Sequence, residues 1–192
     1  MKIHDISQEV FSCAVYPGDP KPERQALCST AAGDQYNLTA FSMCAHNGTH
    51  VDAPFHFLRE GKTVEQMDLN IFVGECFLAR HEGDVSASEA EDILRKANGI
   101  PRILIGGKIT VTAEAAEIFA AGNLYLLGNE GQSVGPEDAP MQVHKILLRQ
   151  NIALLEGIVL NGIPEGRYFL NAAPLNLAGS DGAPCRAYLI AE

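Results

Sequence analysis

The chain has 192 residues and a formal net charge of −10, with 14 Lys and Arg against 24 Asp and Glu. That balance argues against a nucleic-acid partner, and no run of eighteen apolar residues is present to span a membrane. Hydrophobic residues make up 46%, enough for a real core, so the length predicts one domain over residues 1–192.

The opening residues Met1 to Ile6 lack the hydrophobic region of a signal peptide. Five cysteines without paired spacing fit a reducing cytoplasm. In that compartment the glycosylation patterns at Asn37-Leu38-Thr39 and Asn47-Gly48-Thr49 are chance matches.

Ile3–Ile6 reads as a first strand, and Tyr16-Pro17-Gly18-Asp19-Pro20 as a turn. Leu38–Cys44 reads as a strand that carries Cys44 as a small buried hydrophobe, and Phe72–Arg80 as another strand. Ser86-Ala87-Ser88-Glu89 is a capping box, opening a helix that runs to Ala97 and stops at Gly99. Arg102–Ile105 is a short buried strand. Thr112 caps a helix from Ala113 to Ala121, ended by Gly122. Strand Leu124–Leu127, helix Ala139–Arg149 and strand Ile152–Leu155 follow, and the last strands lie near Arg167–Leu170 and Ala187–Ile190. Alternation of strand and helix over residues 101–155 is an α/β signature, and the flanking short strands predict mixed sheets with packed helices.

The stretch from His46 to His56 reads H-x-G-T-H-x-D-x-P-x-H and holds three of the six histidines. Imidazole and carboxylate suit zinc, manganese and iron. His46, His50, Asp52 and His56 all occupy even positions, so an extended strand would present them on one face. A straight strand would nevertheless separate His46 from His50 by about 13 Å, at ~3.3 Å per residue. Gly48 and Pro54 argue against a helix. A bent loop remains, with Gly48 folding His46 back towards His50 and Pro54 turning His56 towards the ion without making it a ligand. A closed structural zinc site is the competing reading, disfavoured because such sites are mostly cysteine-rich.

His144 falls on the inner face of the third helix with Leu147 and Leu148. Glu156 ends an apolar strand, where a carboxylate needs a partner to be buried. Read alone, His144 is as compatible with a surface helix position and Glu156 with a polar strand end.

These pieces together resemble the metal-dependent cyclase-like hydrolase family, which includes bacterial kynurenine formamidase. The resemblance runs through Asp5-Ile6-Ser7, Tyr16-Pro17-Gly18-Asp19, the His46–His56 motif, Gly128 through Ser133-Val134, His144 with Glu156, and Gly179-Ser180-Asp181-Gly182-Ala183-Pro184. It implies a compact α/β domain of mixed sheets, swivelling β/β/α-like, in a homodimer or homotetramer with sites near a subunit interface. It implies one divalent ion, Zn or Mn, held by His46, His50 and Asp52, with Asp52 bridging to a second ion on His144 and Glu156. It makes His56 the catalytic histidine, with Glu156 beside it. Four positions depart from the family pattern. Tyr16 stands where tryptophan is common, Asn129-Glu130 where Ile-Asp or Thr-Asp is common, and Gly135 where aspartate is common.

The chemistry this implies is hydrolysis of a carbon–nitrogen bond by metal-activated water. The amide substrate would be N-formyl-L-kynurenine, from tryptophan breakdown, with His56 passing a proton to the leaving amine. Thr49 and the backbone near Gly48 are candidates to orient ligands or an oxyanion, and Tyr16 and Phe55 to pack an aromatic substrate. Arg186 could meet a substrate carboxylate or a surface acid. The rivals are a hydrolase of another small cyclic amide, isatin-like, and a metal- or ligand-binding protein without catalysis. A fourth, non-ligating imidazole at His56 argues against the latter.

Overall fold

The computed structural model describes residues 1–136 and 138–191. Among these, the strands in chain order are β1 (Lys2–Asp5), β2 (Glu23–Cys28), β3 (Leu38–Ser42), β4 (His50–Asp52), β5 (Val73–Arg80), β6 (Gly83–Val85) and β7 (Arg102–Gly106). They continue with β8 (Ile109–Val111), β9 (Leu126–Asn129), β10 (Ala153–Glu156), β11 (Gly166–Asn171), β12 (Gly182–Pro184) and β13 (Tyr188–Ala191). The helices are α1 (Ala87–Ala97), α2 (Ala113–Ala121) and α3 (Met141–Arg149).

Nine strands make the main sheet, in the order β1-β13-β11-β5-β7-β9-β10-β4-β12. Its centre, β5-β7-β9-β10, is parallel. These strands advance across the sheet in one direction, each reached through one of the helices. Right-handed crossovers therefore place all three helices on the same face. Alternate side chains bear this out. Phe77, Ile103, Ile105, Leu127 and Leu154 pack with Ile93, Phe119 and Leu147 of the helices. Their neighbours Leu78, Leu104, Leu126 and Leu155 join a second core.

That second core lies inside a curl. β12 ends one edge and β13 is next to the opposite edge, yet only Cys185–Ala187 separates them in sequence. Four residue steps reach at most about 14 Å, whereas seven inter-strand steps in a flat sheet would need about 34 Å. The sheet must bend round, and Val51, Ala183 and Leu189 from its two ends meet Leu104 and Leu155 from its middle. Cys185 N donates to Thr49 O and Ile6 N to Ala187 O, stitching the closure.

Most predicted elements are present; α3 starts at Met141 and not at Ala139, β2, β6, β8 and β12 are additional, and three further differences bear on the site. First, the motif is not a loop throughout. It bends at Gly48, whose φ is +68°, and then enters the sheet as β4 between β10 and β12. Second, β9 begins two residues later than expected and carries Asn129 into the sheet. Third, the strand expected over Leu38–Cys44 stops at Ser42. It pairs only with β2 in an antiparallel ribbon whose residues are exposed apart from half-buried Cys28. The α1 capping box forms as expected, and the turn at Tyr16 closes through Asp19 N to Tyr16 O, with Gly18 at φ +100°. No helix among the described residues is long and apolar enough to cross a membrane.

Candidate metal centre

The register of three short strands assembles most of the centre. β4 runs antiparallel to β10 with His50 opposite Glu156, and antiparallel to β12 with Asp52 opposite Gly182. His50 and Asp52 are two residues apart, so both face the side that Glu156 faces. Asp181 immediately precedes β12 and joins them from the other flank. α3 supplies His144 from its buried face, beside Val143, Leu147 and Leu148.

Asp52 is the hub. Its Oδ1 lies 2.7 Å from His46 Nδ1 and 3.4 Å from His50 Nε2, and its Oδ2 lies 3.5 Å from His144 Nε2. Glu156 faces the same pair of rings, with Oε1 3.3 Å from His144 Nε2 and Oε2 3.6 Å from His50 Nε2. Backbone groups set the imidazole orientations. His50 Nδ1–H donates to Gly48 O at 3.0 Å, and His144 Nδ1–H donates to Pro140 O at 2.8 Å, so both rings present Nε2 to the carboxylates. Val134 N donates to Glu156 Oε1 at 2.7 Å.

The electrostatics favour positive charge at this point. Burial opposes a charged His50, but its contacts with Asp52 and Glu156 outweigh burial and raise its pKa to about 10. His46 and His144 are raised too, again against burial, by Asp52 and by Glu156 respectively. Burial works equally against ionising Asp52, yet His46 and His50 hold its carboxyl well below the usual range. Glu156 is lowered by His144 and His50 against both burial and repulsion from Asp52.

The donor set fits a divalent cation. Asp52 Oδ2 is buried and makes no hydrogen bond, which is costly unless a cation meets it. Two overlapping ligand groups form, His46-Asp52-His56 and His50-Asp52-Glu156, with the ligand atoms of each within 4.8 Å of one another. Asp52 is common to both, but His50 groups with Glu156 and not with His46 as the resemblance implies, and His144 approaches that second group. His56 stands nearer to the ligands than expected, its ring centroid 4.0 Å from that of His46. Its Nδ1, however, lies 3.1 Å from Asp181 Oδ2, which also accepts from His46 Nε2 at 2.9 Å.

A cavity of about 400 Å³ opens onto these groups, walled by Tyr16, Asp19, Cys44, Phe57, Gln132, Ser133 and Pro140 as well. Tyr16 is where the sequence reading puts it, but Phe55 is not. The short helix Pro54–His56 turns about 120° per residue. With His56 facing the cavity, Phe55 points away and is 40% exposed, and Phe57 takes the wall instead. Cys44 is also displaced from its expected role, lying beyond β3 on the cavity wall. Thr49 clamps neighbouring backbone. Its hydroxyl donates to Gly157 O at 2.6 Å and accepts from Gln8 N at 2.9 Å. Near Gly48 it is the carbonyl that meets a side chain, accepting from His50 Nδ1. Arg186 pairs with the surface carboxylate of Asp5 at 2.9 Å.

Asp181, which meets both His46 and His56, lies in the stretch Gly179–Pro184 and has no role assigned from sequence. The departures at Asn129 and Glu130 prove structural. Asn129 Nδ2 donates to Ser133 O, and Glu130 accepts from Gly107 N and Leu160 N. Gly135 lies 3.0 Å, measured from an added Cβ, from Val143 Cβ, so a larger residue there needs α3 to give way.

The sequence pattern of the Cyclase family, described as putative cyclase, matches residues 4–109. The kynurenine formamidase of Erythrobacter litoralis (strain HTCC2594) is 31% identical over 201 residues, covering 98% of this chain and 93% of that protein. The kynurenine formamidase of Bacillus anthracis is 31% identical over 205 residues, covering 96% and 95%. Among solved structures, a potential metal-dependent hydrolase with cyclase activity superposes with a TM-score of 0.83 at 27% identity, covering 98% of this chain and 96% of that one. Isatin hydrolase A from Labrenzia aggregata shares the fold, with a TM-score of 0.83 at 18% identity over 98% of this chain and 93% of its own. With the pattern matched over more than half its length and relatives aligned almost end to end, the chain belongs to the putative cyclase family.

Proposed function

We propose that this protein is a divalent-metal-dependent amidohydrolase that converts N-formyl-L-kynurenine and water to L-kynurenine and formate. The observation that carries this reading is His56, its Nδ1 held by Asp181, standing on a cavity wall beside the carboxylate–imidazole cluster around Asp52. Two kynurenine formamidases, each 31% identical over nearly the whole chain, support the substrate.

In this reading His46, His50 and Asp52 hold one ion, and Asp52, His144 and Glu156 hold a second where two are bound. Zinc and manganese both suit these ligands. A bound ion lowers the pKa of its water towards neutrality and polarises a carbonyl. The chain's own residues do the rest. Asp181 keeps His56 Nδ1 protonated, which leaves Nε2 to carry a proton to the aniline nitrogen as the C–N bond breaks. Glu156, held by Val134 N, keeps its two oxygens on His144 and His50 and so fixes the catalytic face of the centre. Tyr16 and Phe57 supply aromatic surface for the substrate ring.

The protein acts as one domain, in a reducing cytoplasm compatible with its five free cysteines. It assembles as a homodimer or homotetramer. The exposed β2–β3 ribbon, with Leu27, Leu38 and Phe41 outward, supports this, because a two-stranded ribbon is marginal alone. Light scattering on the purified protein tests that point. Opening of isatin is the second reading, favoured by the shared fold with isatin hydrolase A.

The deciding assay is hydrolysis of N-formylkynurenine by chelated protein and by protein reloaded with zinc or manganese, with His56→Ala as control. Metal-dependent turnover lost in the variant is the expected result. Metal-loaded protein that releases no kynurenine overturns the substrate.

A further inference from the structure

We infer that Ser133 is a substrate-contacting residue whose hydroxyl donates a hydrogen bond to a carbonyl oxygen of the bound amide. This rests on the amidohydrolase reading above. Ser133 forms part of the cavity wall, is only 7% exposed, and its Oγ is buried with no hydrogen-bond partner.

Most of the polar groups around that hydroxyl are committed, Asn129 Oδ1 being the exception. Ser133 O accepts from Asn129 Nδ2 at 2.8 Å, and Asn129 is itself fully buried. The next residue, Val134, donates its N–H to Glu156 and accepts from Val111 N through its carbonyl. Gly131 O accepts from Gly157 N at 2.8 Å. The loop is thus tied down on both sides of Ser133, and its backbone has no freedom to satisfy the hydroxyl by moving. Gln132, the other neutral donor on this stretch of wall, has its Nε2 on Ala14 O at 2.7 Å.

A buried hydroxyl without a partner weakens a fold, so its retention at a cavity wall points to a ligand. In this proposal a χ1 rotation between staggered positions turns Oγ from its buried place to the substrate, with the backbone fixed. The chemistry of the neighbourhood selects what it meets. Val134 N holds Glu156 in place, so Ser133 sits directly beside the centre at which the amide would be cleaved. A neutral carbonyl oxygen is the acceptor an aryl amide offers there.

Removing this hydroxyl should separate binding from stability. Ser133→Ala is expected to raise KM for N-formylkynurenine roughly tenfold with kcat within about threefold. Metal content should be unchanged, and Tm unchanged or higher, because the lost group had no partner in the free protein. Ser133→Cys, similar in size but a weak donor, should fall between the two. An unchanged KM in Ser133→Ala overturns the proposal. So does a raised KM accompanied by metal loss or a Tm several degrees lower, which would make the residue structural. Failure of the underlying reading looks different, because wild-type protein loaded with metal would then hydrolyse neither N-formylkynurenine nor isatin.

Discussion

Asp181 Oδ2 lies 3.1 Å from His56 Nδ1, and this contact fixes which nitrogen of His56 faces the cavity. A carboxylate behind an imidazole holds its tautomer and its orientation. Asp181→Asn should therefore lower kcat by about 10- to 100-fold and leave the metal in place. His56→Ala should lose roughly a hundredfold or more, also with metal retained. Steady-state kinetics beside elemental analysis separates the two effects. Wild-type kcat in Asp181→Asn would show that His56 needs no orienting partner.

Asp52 is shared by both ligand groups, while Glu156 belongs to one. Asp52→Ala is expected to abolish metal retention, and His50→Ala to lose the ion that His50 holds. Glu156→Ala should halve the metal per chain in a two-ion protein and leave His46 and Asp52 able to hold the other ion. Mass spectrometric metal analysis after dialysis decides this. Full occupancy in Asp52→Ala would reject the hub assignment.

Local chemistry is what the sequence made legible. Ser86 and Glu89, Thr112, and the Tyr16–Asp19 turn depend on neighbours within three residues, and each forms as read. The clustering of His46, His50 and Asp52 was legible for the same reason. Contacts set by strand register were not. β4 and β12 are three residues long, too short for any alternation to show, and only their pairing brings Asp181 to His46. Phe55 and Phe57 are equally aromatic in sequence, and the 3₁₀ turn at Pro54 chooses between them. The exposed β2–β3 ribbon lacks the apolar–polar alternation of a half-buried strand, so β2 left no signal.

Gly182 is needed for space. A Cβ there would sit 2.6 Å from Val51 O and 2.7 Å from His46 Cε1. Neither neighbour is a free side-chain end, since one is backbone within β4 and the other is a ring held between Asp52 and Asp181. Gly182→Ala should destabilise the protein by about 1–3 kcal/mol and weaken metal binding by displacing His46. Urea unfolding and metal titration measure both. A variant matching wild type in both would show that β12 shifts without cost.

Stability of the chelated protein should depend on pH in two directions. His46, His50 and His144 have raised pKa values in the folded state. Their contribution is fully present below the ordinary value of 6.5 and is lost as pH rises through the folded values, which reach about 10 for His50. Asp52 and Glu156 are lowered from 3.8 and 4.5, so their contribution is present above those values and lost as pH falls through the folded ones. In chelator the unfolding free energy should therefore be greatest between about pH 4.5 and 6.5 and decline towards pH 10. Added zinc should reverse the alkaline slope, because the metal takes the deprotonated imidazoles and displaces the protons that stabilise the chelated form. Urea midpoints across pH 4–10, with and without zinc, test this. Parallel curves would mean that these imidazoles do not bind the ion.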